Sequence, residues 1–346
     1  MKLAEIVRAG MPALLQKHGS KLTANQRQAL NAIIDCRTGT LGSTLMQCQD
    51  CGHNQRRHRS CGNRSCPQCQ HHTASAWLAR QQAKLLPTNY FMITFTLPAQ
   101  LRPLAYANPK PVYRALFDVA IDTLNTFAKN EPQLNGSLGA CAVLHTHSRR
   151  LDYHPHVHLI VPGAAIDARR KQWRKLKGRY LFNGMQLAKV FRPRMIEAIE
   201  ALQLTIPDNP ESWNVQCKFV GKGLPALKYL SRYLYRGVIN ERDLIDFDHE
   251  RNTVTFRYRD GKTRQTCFRT LALDDFLWRI MMQVLPKGFR RARDYGYLHG
   301  NAKTRLVLLQ LLLRVQITPP IINVALPYHC EECQGAMRMV AFLKPG

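Results

Sequence analysis

Three sets of side chains in this 346-residue sequence have the types and spacing for chemistry. The first is Cys48-x2-Cys51, Cys61 and Cys66-x2-Cys69, five thiols within 22 residues. Two CxxC knuckles joined by a short loop bring four soft donors into the tetrahedron that Zn2+ prefers. Cys48, Cys51, Cys66 and Cys69 are the expected ligands of one structural zinc ion, with Cys61, His53 and His58 as alternatives in the same loop. Buried free cysteines would not explain the double CxxC pairing, and a redox pair fits poorly with two adjacent pairs among arginines. Those arginines, Arg56, Arg57, Arg59 and Arg64, suit phosphate contact. A lone Cys330-x2-Cys333, with His329 beside it, lacks two obvious further ligands, so no second zinc site is expected there.

The second set is YHPHVHLIV at 153 to 161. In a strand, alternate residues share a face, so His156 and His158 point one way while Val157, Leu159 and Val161 go to the core. Two imidazoles so spaced reach one divalent ion. His154 has the same parity but precedes Pro155 at the strand's start. A third ligand is offered by the preceding strand, through His145 or His147. Five histidines within 14 residues exceed what a merely solvated sheet face requires. The third set is KYLSRYLYRG at 228 to 237. On a helix, Leu227, Leu230 and Leu234 form one stripe, and Tyr229 and Tyr233 project from the other side beside Arg232 and Arg236. A phenol is a poor nucleophile, but a divalent cation on a phosphate makes the phosphorus more electrophilic. Nearby arginines stabilise the pentavalent state.

These side chains must be held by a folded frame. Residues 4 to 36 predict two helices, with Thr23 and Gln26 as a capping box. A helix is expected at 74 to 86, a strand at 89 to 98 and a helix at 111 to 128. Strands at 138 to 147 and 153 to 162 form a hairpin, 222 to 236 is helical, and 252 to 270 is a hairpin turning at Asp260-Gly261. The remainder is expected to be helical to about 315, then a Pro-rich turn and the terminal CxxC. Three consecutive units follow: 1–86, helical and zinc-binding; 87–270, catalytic; and 271–346, a mainly helical carboxy-terminal region.

Composition limits the partners. Lysine plus arginine exceed aspartate plus glutamate by 50 to 23, a formal charge of +27 that calls for a polyanion, nucleic acid first. No apolar run is long enough to span a bilayer, so no membrane partner is expected. The amino terminus has no apolar h-region or small-residue cleavage site, which predicts a cytoplasmic, nucleoid-associated protein. In that reducing compartment, 11 cysteines point to metal and not to disulfides.

FTLP at 95 to 98, HPHVH at 154 to 158 and YLSRY at 229 to 233 occur in the order of the three motifs of HUH endonucleases. With SCGNRSCPQCQ at 60 to 70 and LHTH at 144 to 147, nearly the whole chain resembles the two-tyrosine rolling-circle transposases of bacterial insertion sequences, distantly similar to Helitrons. The resemblance implies an α+β fold: an HUH catalytic domain with a central antiparallel sheet flanked by helices, preceded by a helical, zinc-ribbon-like domain. It implies that His156 and His158, with His145 preferred as third ligand, hold Mg2+ or Mn2+. Tyr229 and Tyr233 would attack single-stranded DNA at transposon ends and target, leaving 5′-phosphotyrosine and a free 3′-OH. No GxxxxGK[ST] phosphate loop is present, so a host helicase or replication machinery would supply single strands. A plasmid or phage rolling-circle replication initiator, and a non-catalytic zinc-dependent DNA-binding regulator, are the alternative readings.

Overall fold

A computed structural model describes the chain except residues 70, 168, 171, 236–238, 262, 317–327 and 346; of residues 71–72 and 232–235 it describes the backbone alone. The chain opens with helices α1 (Leu3–His18) and α2 (Ala24–Asp35), then a hairpin of β1 (Ser43–Cys48) and β2 (Asn54–His58), and helix α3 (His71–Gln82). Thr23 caps α2 with the expected box, its side chain accepting from the Gln26 amide. Strand β3 (Tyr90–Thr96), short helix α4 (Arg102–Ala107) and long helix α5 (Pro109–Asn130) follow. Then come β4 (Ser137–Leu138), β5 (Ala140–His147), β6 (Tyr153–Pro162), β7 (Ala164–Asp167) and β8 (Gln172–Lys175). Helix α6 (Gly184–Glu200), β9 (Val215–Phe219), helix α7 (Leu224–Tyr235) and a meander of β10 (Leu244–Asp248), β11 (Thr253–Arg259) and β12 (Thr266–Ala272) lead to α8 (Leu273–Met281). Strand β13 (Ala292–Tyr295), α9 (Lys303–Leu312) and β14 (Met337–Leu343) complete the described elements.

The fold is α+β, with antiparallel sheets. Its centre is a five-stranded sheet in the order β13-β5-β6-β3-β9, which puts the histidine strand in the middle. The period-2 pattern of β6 sorts its two faces as expected. Val157, Leu159 and Val161 join Phe91, Ile93 and Phe95 of β3 and Ala142 and Leu144 of β5, packed against α5 and α6 in the largest core cluster. At roughly 25 cal/mol per Å2, burial on this scale dominates the stabilisation of the domain. The opposite face is apolar at one end only. There Cys141, Val143, Ile160 and Tyr90 meet Ala226, Leu227 and Leu230 of α7 and Trp77 of α3. The other end of that face carries the histidines.

A second core joins the amino-terminal helices to β11 and α8. Leu3, Ile6, Val7 and Leu14 of α1 pack with Leu30 and Ile33 of α2, Val254 and Phe256 of β11, and Phe276, Leu277 and Ile280 of α8. The hairpin turn between β5 and β6 is tied to this body through Asp152, which accepts from Arg269 and Arg279, each at 2.8 Å. The carboxy-terminal segment is less helical than expected. Residues 292–295 add an edge strand to the central sheet, and 337–343 pair with β1 to make a ribbon ordered β14-β1-β2. Neither strand shows the long alternation that marks a strand in sequence, and each forms because a partner edge is waiting for it. The Pro-rich turn expected after residue 315 lies outside the described residues. Among the described residues, no helix is long and apolar enough to cross a membrane.

Candidate metal and nucleotidyl-transfer centre

Cross-strand register assembles the histidines. His145 on β5 lies directly opposite His156 on β6, Val143 lies opposite His158, and on the other flank Thr94 and Thr96 of β3 face His158 and His156. One nitrogen from each of His145, His156 and His158 comes within 4.8 Å of the others, close enough to share an ion. The rings are mutually tilted, with centroids 4.5 Å apart for His145 and His158, 4.8 Å for His156 and His158 and 5.2 Å for His145 and His156.

The protonation state suits metal binding. Burial pushes all three imidazoles down, His156 to about 4, and the neighbouring imidazoles push His145 and His158 further in the same direction. They are therefore neutral near pH 7, as ligands must be. The Nδ1 atoms are already engaged: that of His156 donates to the His154 carbonyl at 2.6 Å, and that of His158 pairs with Thr94 Oγ1 at 2.8 Å. Such contacts fix ring and tautomer and leave Nε2 for the ion. The donor set thus fits a divalent cation. Thr94→Val, which keeps the shape and removes the hydroxyl, is expected to weaken metal affinity by about 10–100-fold; isothermal titration with Mn2+ measures it, and unchanged affinity would exclude a positioning role for Thr94.

A register shift decides which histidines are left out. Beyond the His145–His156 pair, Thr146 alone faces both His154 and Pro155 before pairing resumes at His147 and Tyr153. Pro155 has no amide to give to the ladder, so the extra residue is accommodated there. The bulge removes His154 from the parity that spacing suggests, and His147 faces Tyr153 and not a histidine. His154 Nδ1 instead meets an Arg102 nitrogen at 2.8 Å. His147 is held neutral, down to about 3, by burial and by Arg291.

Helix α7 closes the site. It lies on the apolar end of the same sheet face, and Tyr229, half-buried, turns its ring edge-on to His158 with centroids 6.2 Å apart at 87°. Tyr229 does not sit on an outward face opposite the leucines; it packs partly into their cluster. The side chains of Tyr233 and Arg232, and the whole of Arg236, lie outside the described residues.

The cysteines fall into two groups and not one. Cys66 and Cys69 converge with Cys36 and Cys61, whereas Cys48 and Cys51 converge with Cys330 and Cys333, each set of sulfurs within 4.8 Å. The expected single site of Cys48, Cys51, Cys66 and Cys69 is therefore corrected, because β1 and β2 carry the first knuckle away to pair with β14. Cys36, at the end of α2, is a member that the CxxC pattern does not reveal. In its group the Cys36–Cys69 and Cys61–Cys69 sulfurs are 3.4 and 3.5 Å apart, near the roughly 3.8 Å edge of a zinc–thiolate tetrahedron. The crowded thiols pull Cys69 well below the ordinary thiol range and push Cys66 well above it, a conflict that one bound dication removes. Neither His53 nor His58 joins a group; His58 pairs with Ser43 Oγ at 2.9 Å.

Two arginines expected at DNA have structural engagements. The guanidinium of Arg64 donates to the carbonyls of Leu285, Pro286 and Phe289 at 2.6 to 2.8 Å, pinning the cysteine loop to the segment after α8. Arg57 lies over the Tyr328 ring at 4.3 Å and donates to Gln55. Arg56 and Arg59 are the exposed members of that run.

The structure thus sets a three-imidazole cluster with a tyrosine beside it on a chain of +27. Comparison with known proteins gives the class of the protein. A family model described as "Transposase zinc-binding domain" matches residues 6–97, and one described as "Putative transposase" matches residues 139–305. The chain is 33% identical over 347 residues to "Putative transposase y4qJ" of Sinorhizobium fredii (strain NBRC 101917 / NGR234), covering 92% of this chain and 86% of that one. It is 29% identical over 291 residues to "Transposase for insertion sequence element IS801" of Pseudomonas savastanoi pv. phaseolicola, covering 78% and 70%. Among solved structures it is similar to the metal-bound conjugative relaxase TrwC in complex with oriT DNA, at 12% identity and a TM-score of 0.30 over 66% of this chain and 74% of that one. The chain belongs to the IS91-type family of rolling-circle transposases: it is a DNA transposase, a DNA-cleaving enzyme with a zinc-binding domain.

Proposed function

We propose that this transposase cleaves and rejoins single-stranded DNA at the ends of its insertion sequence through 5′-phosphotyrosine intermediates. The observation that carries the proposal is the ring of Tyr229 lying edge-on to His158 of the triad. Tyr229 Oη attacks phosphorus: the Oη–P bond forms as the P–O3′ bond breaks, the phenol's proton leaves to solvent, and the departing 3′ oxygen takes one up. The bond energy stays in the phosphotyrosine, so a 3′-OH can reverse the step on a second strand without an external energy source. A divalent cation held by His145, His156 and His158 would supply charge neutralisation at the scissile phosphate. Three nitrogen donors suit Mn2+ better than Mg2+, which favours oxygen.

Tyr233, four positions along α7, is proposed as the second nucleophile on its spacing, with Arg232 and Arg236 to steady phosphate charge. Arg56 and Arg59 supplement Arg57 as backbone contacts. Single strands would come from a host helicase or a replication fork.

Covalent capture tests the proposal. Labelled single-stranded DNA from the element's ends, with Mn2+ or Mg2+, should give a denaturant-resistant adduct with the wild type and none with the Tyr229→Phe, Tyr233→Phe double variant. An adduct that survives in the double variant, or none in the wild type, rules out the tyrosines as nucleophiles.

A further inference from the structure

The sulfurs of Cys48, Cys51, Cys330 and Cys333 lie 285 and 279 residues apart along the chain yet meet across the β14-β1-β2 ribbon. Cys48 and Cys333 are 3.4 Å apart, Cys51 and Cys333 3.4 Å, and Cys51 and Cys330 3.7 Å. These values bracket no disulfide, whose sulfurs would sit at about 2.05 Å, and they approach the roughly 3.8 Å edge of a zinc–thiolate tetrahedron. Both pairs sit in tight turns shaped for a cation. In the first, the Cys48 amide donates to the His53 carbonyl at 2.8 Å, and the Asp50 amide points at Cys48 Sγ at 3.4 Å. In the second, the Cys330 amide donates to Gly335 at 2.8 Å and the Gln334 amide returns to Cys330 at 3.0 Å. Gly335 allows the close approach: a Cβ there would stand 3.1 Å from Cys48 Sγ and collide with the Asp50 carboxylate.

The ribbon also has little apolar core of its own among the described residues. Its buried cluster is Met46, Cys48, Cys330 and Met337, with Tyr328, Met339, Val340 and Phe342 exposed. Four side chains, two of them thiols, are too little core for three strands, and small modules of this kind obtain the balance from metal.

We propose that Cys48, Cys51, Cys330 and Cys333 bind a second zinc ion, separate from the group of Cys36, Cys61, Cys66 and Cys69, and that this ion clamps residues 328–345 onto the amino-terminal hairpin. The second site lies half outside the zinc-binding segment that the family model matches, which ends at residue 97. It makes the carboxy-terminal strand a zinc-dependent part of the amino-terminal domain.

Metal analysis of the full chain tests this. The wild type should hold two zinc ions, the Cys330→Ser, Cys333→Ser variant one, and the Cys36→Ser, Cys61→Ser variant one. Because a variant can misfold, the wild type is also stripped and titrated with Co2+: two equivalents should each give the charge-transfer absorption of a four-thiolate site. Trypsin should cut after Arg338 slowly in the wild type and many times faster in the Cys330→Ser, Cys333→Ser variant. One zinc in the wild type, two in that variant, a single equivalent of thiolate-bound cobalt, or a deficit of free thiols showing a disulfide would each overturn the proposal.

Discussion

Replacement of His156 with alanine should lower strand cleavage on the order of 10³-fold or more while changing affinity for single-stranded DNA by no more than about threefold. His156 is one of three imidazoles, opposite His145 and two residues from His158, so its loss leaves an ion only two protein donors. Affinity comes from a different source. In the proposed mode, arginine–phosphate contacts would carry the binding, as they do for nucleic-acid binding in general, and would not involve this buried ring. Single-turnover cleavage and fluorescence anisotropy, at one fixed salt concentration, separate the two quantities. Equal loss of both would show that His156 supports the sheet and not the chemistry.

A Cys66→Ser exchange should remove one equivalent of zinc and unfold the amino-terminal body. Cys66 is 1% exposed and packs in the core that joins α1, α2, β11 and α8. Structural zinc in small modules is worth about 10–16 kcal/mol, comparable to the entire ~5–15 kcal/mol stability of a domain. The damage should reach α8, through the shared core, and the hairpin turn that α8 holds at Asp152. Zinc content together with a thermal melt reads the effect. Full zinc content with an unmoved transition would remove Cys66 from the ligand set.

Elements with strong local periodicity were readable before folding. The boundaries of β6 coincide with the expected 153 to 162, and its apolar and imidazole faces are those that alternation implies. The candidate triad was equally visible, because strand parity and hairpin register are local properties. What escaped was decided by distant chain. Whether Cys48 pairs with Cys66 or with Cys330 depends on which strand reaches β1, and spacing favours the near partner while β14 is the one that arrives. Cys36 carries no CxxC signature and enters its site only because α2 ends there. The separation of His154 from His156 turns on a single bulge at Pro155, which equal spacing conceals. Arg64 lies in a run whose composition suits phosphate, yet its three carbonyl partners lie more than 220 positions away.

The pairing of β1 with β14 sets a timetable for the nascent chain. At about 5–20 residues per second, the 285 residues between Cys48 and Cys333 take on the order of tens of seconds to emerge from a ribosome. Throughout that interval the β1–β2 hairpin presents an unpaired edge and two thiols without their partners. A polypeptide released early, before residue 337, would keep that edge open and be prone to join other chains through it. Only a copy translated through Leu343 can close the ribbon, so the fold itself discriminates chains that carry β14 from shorter fragments.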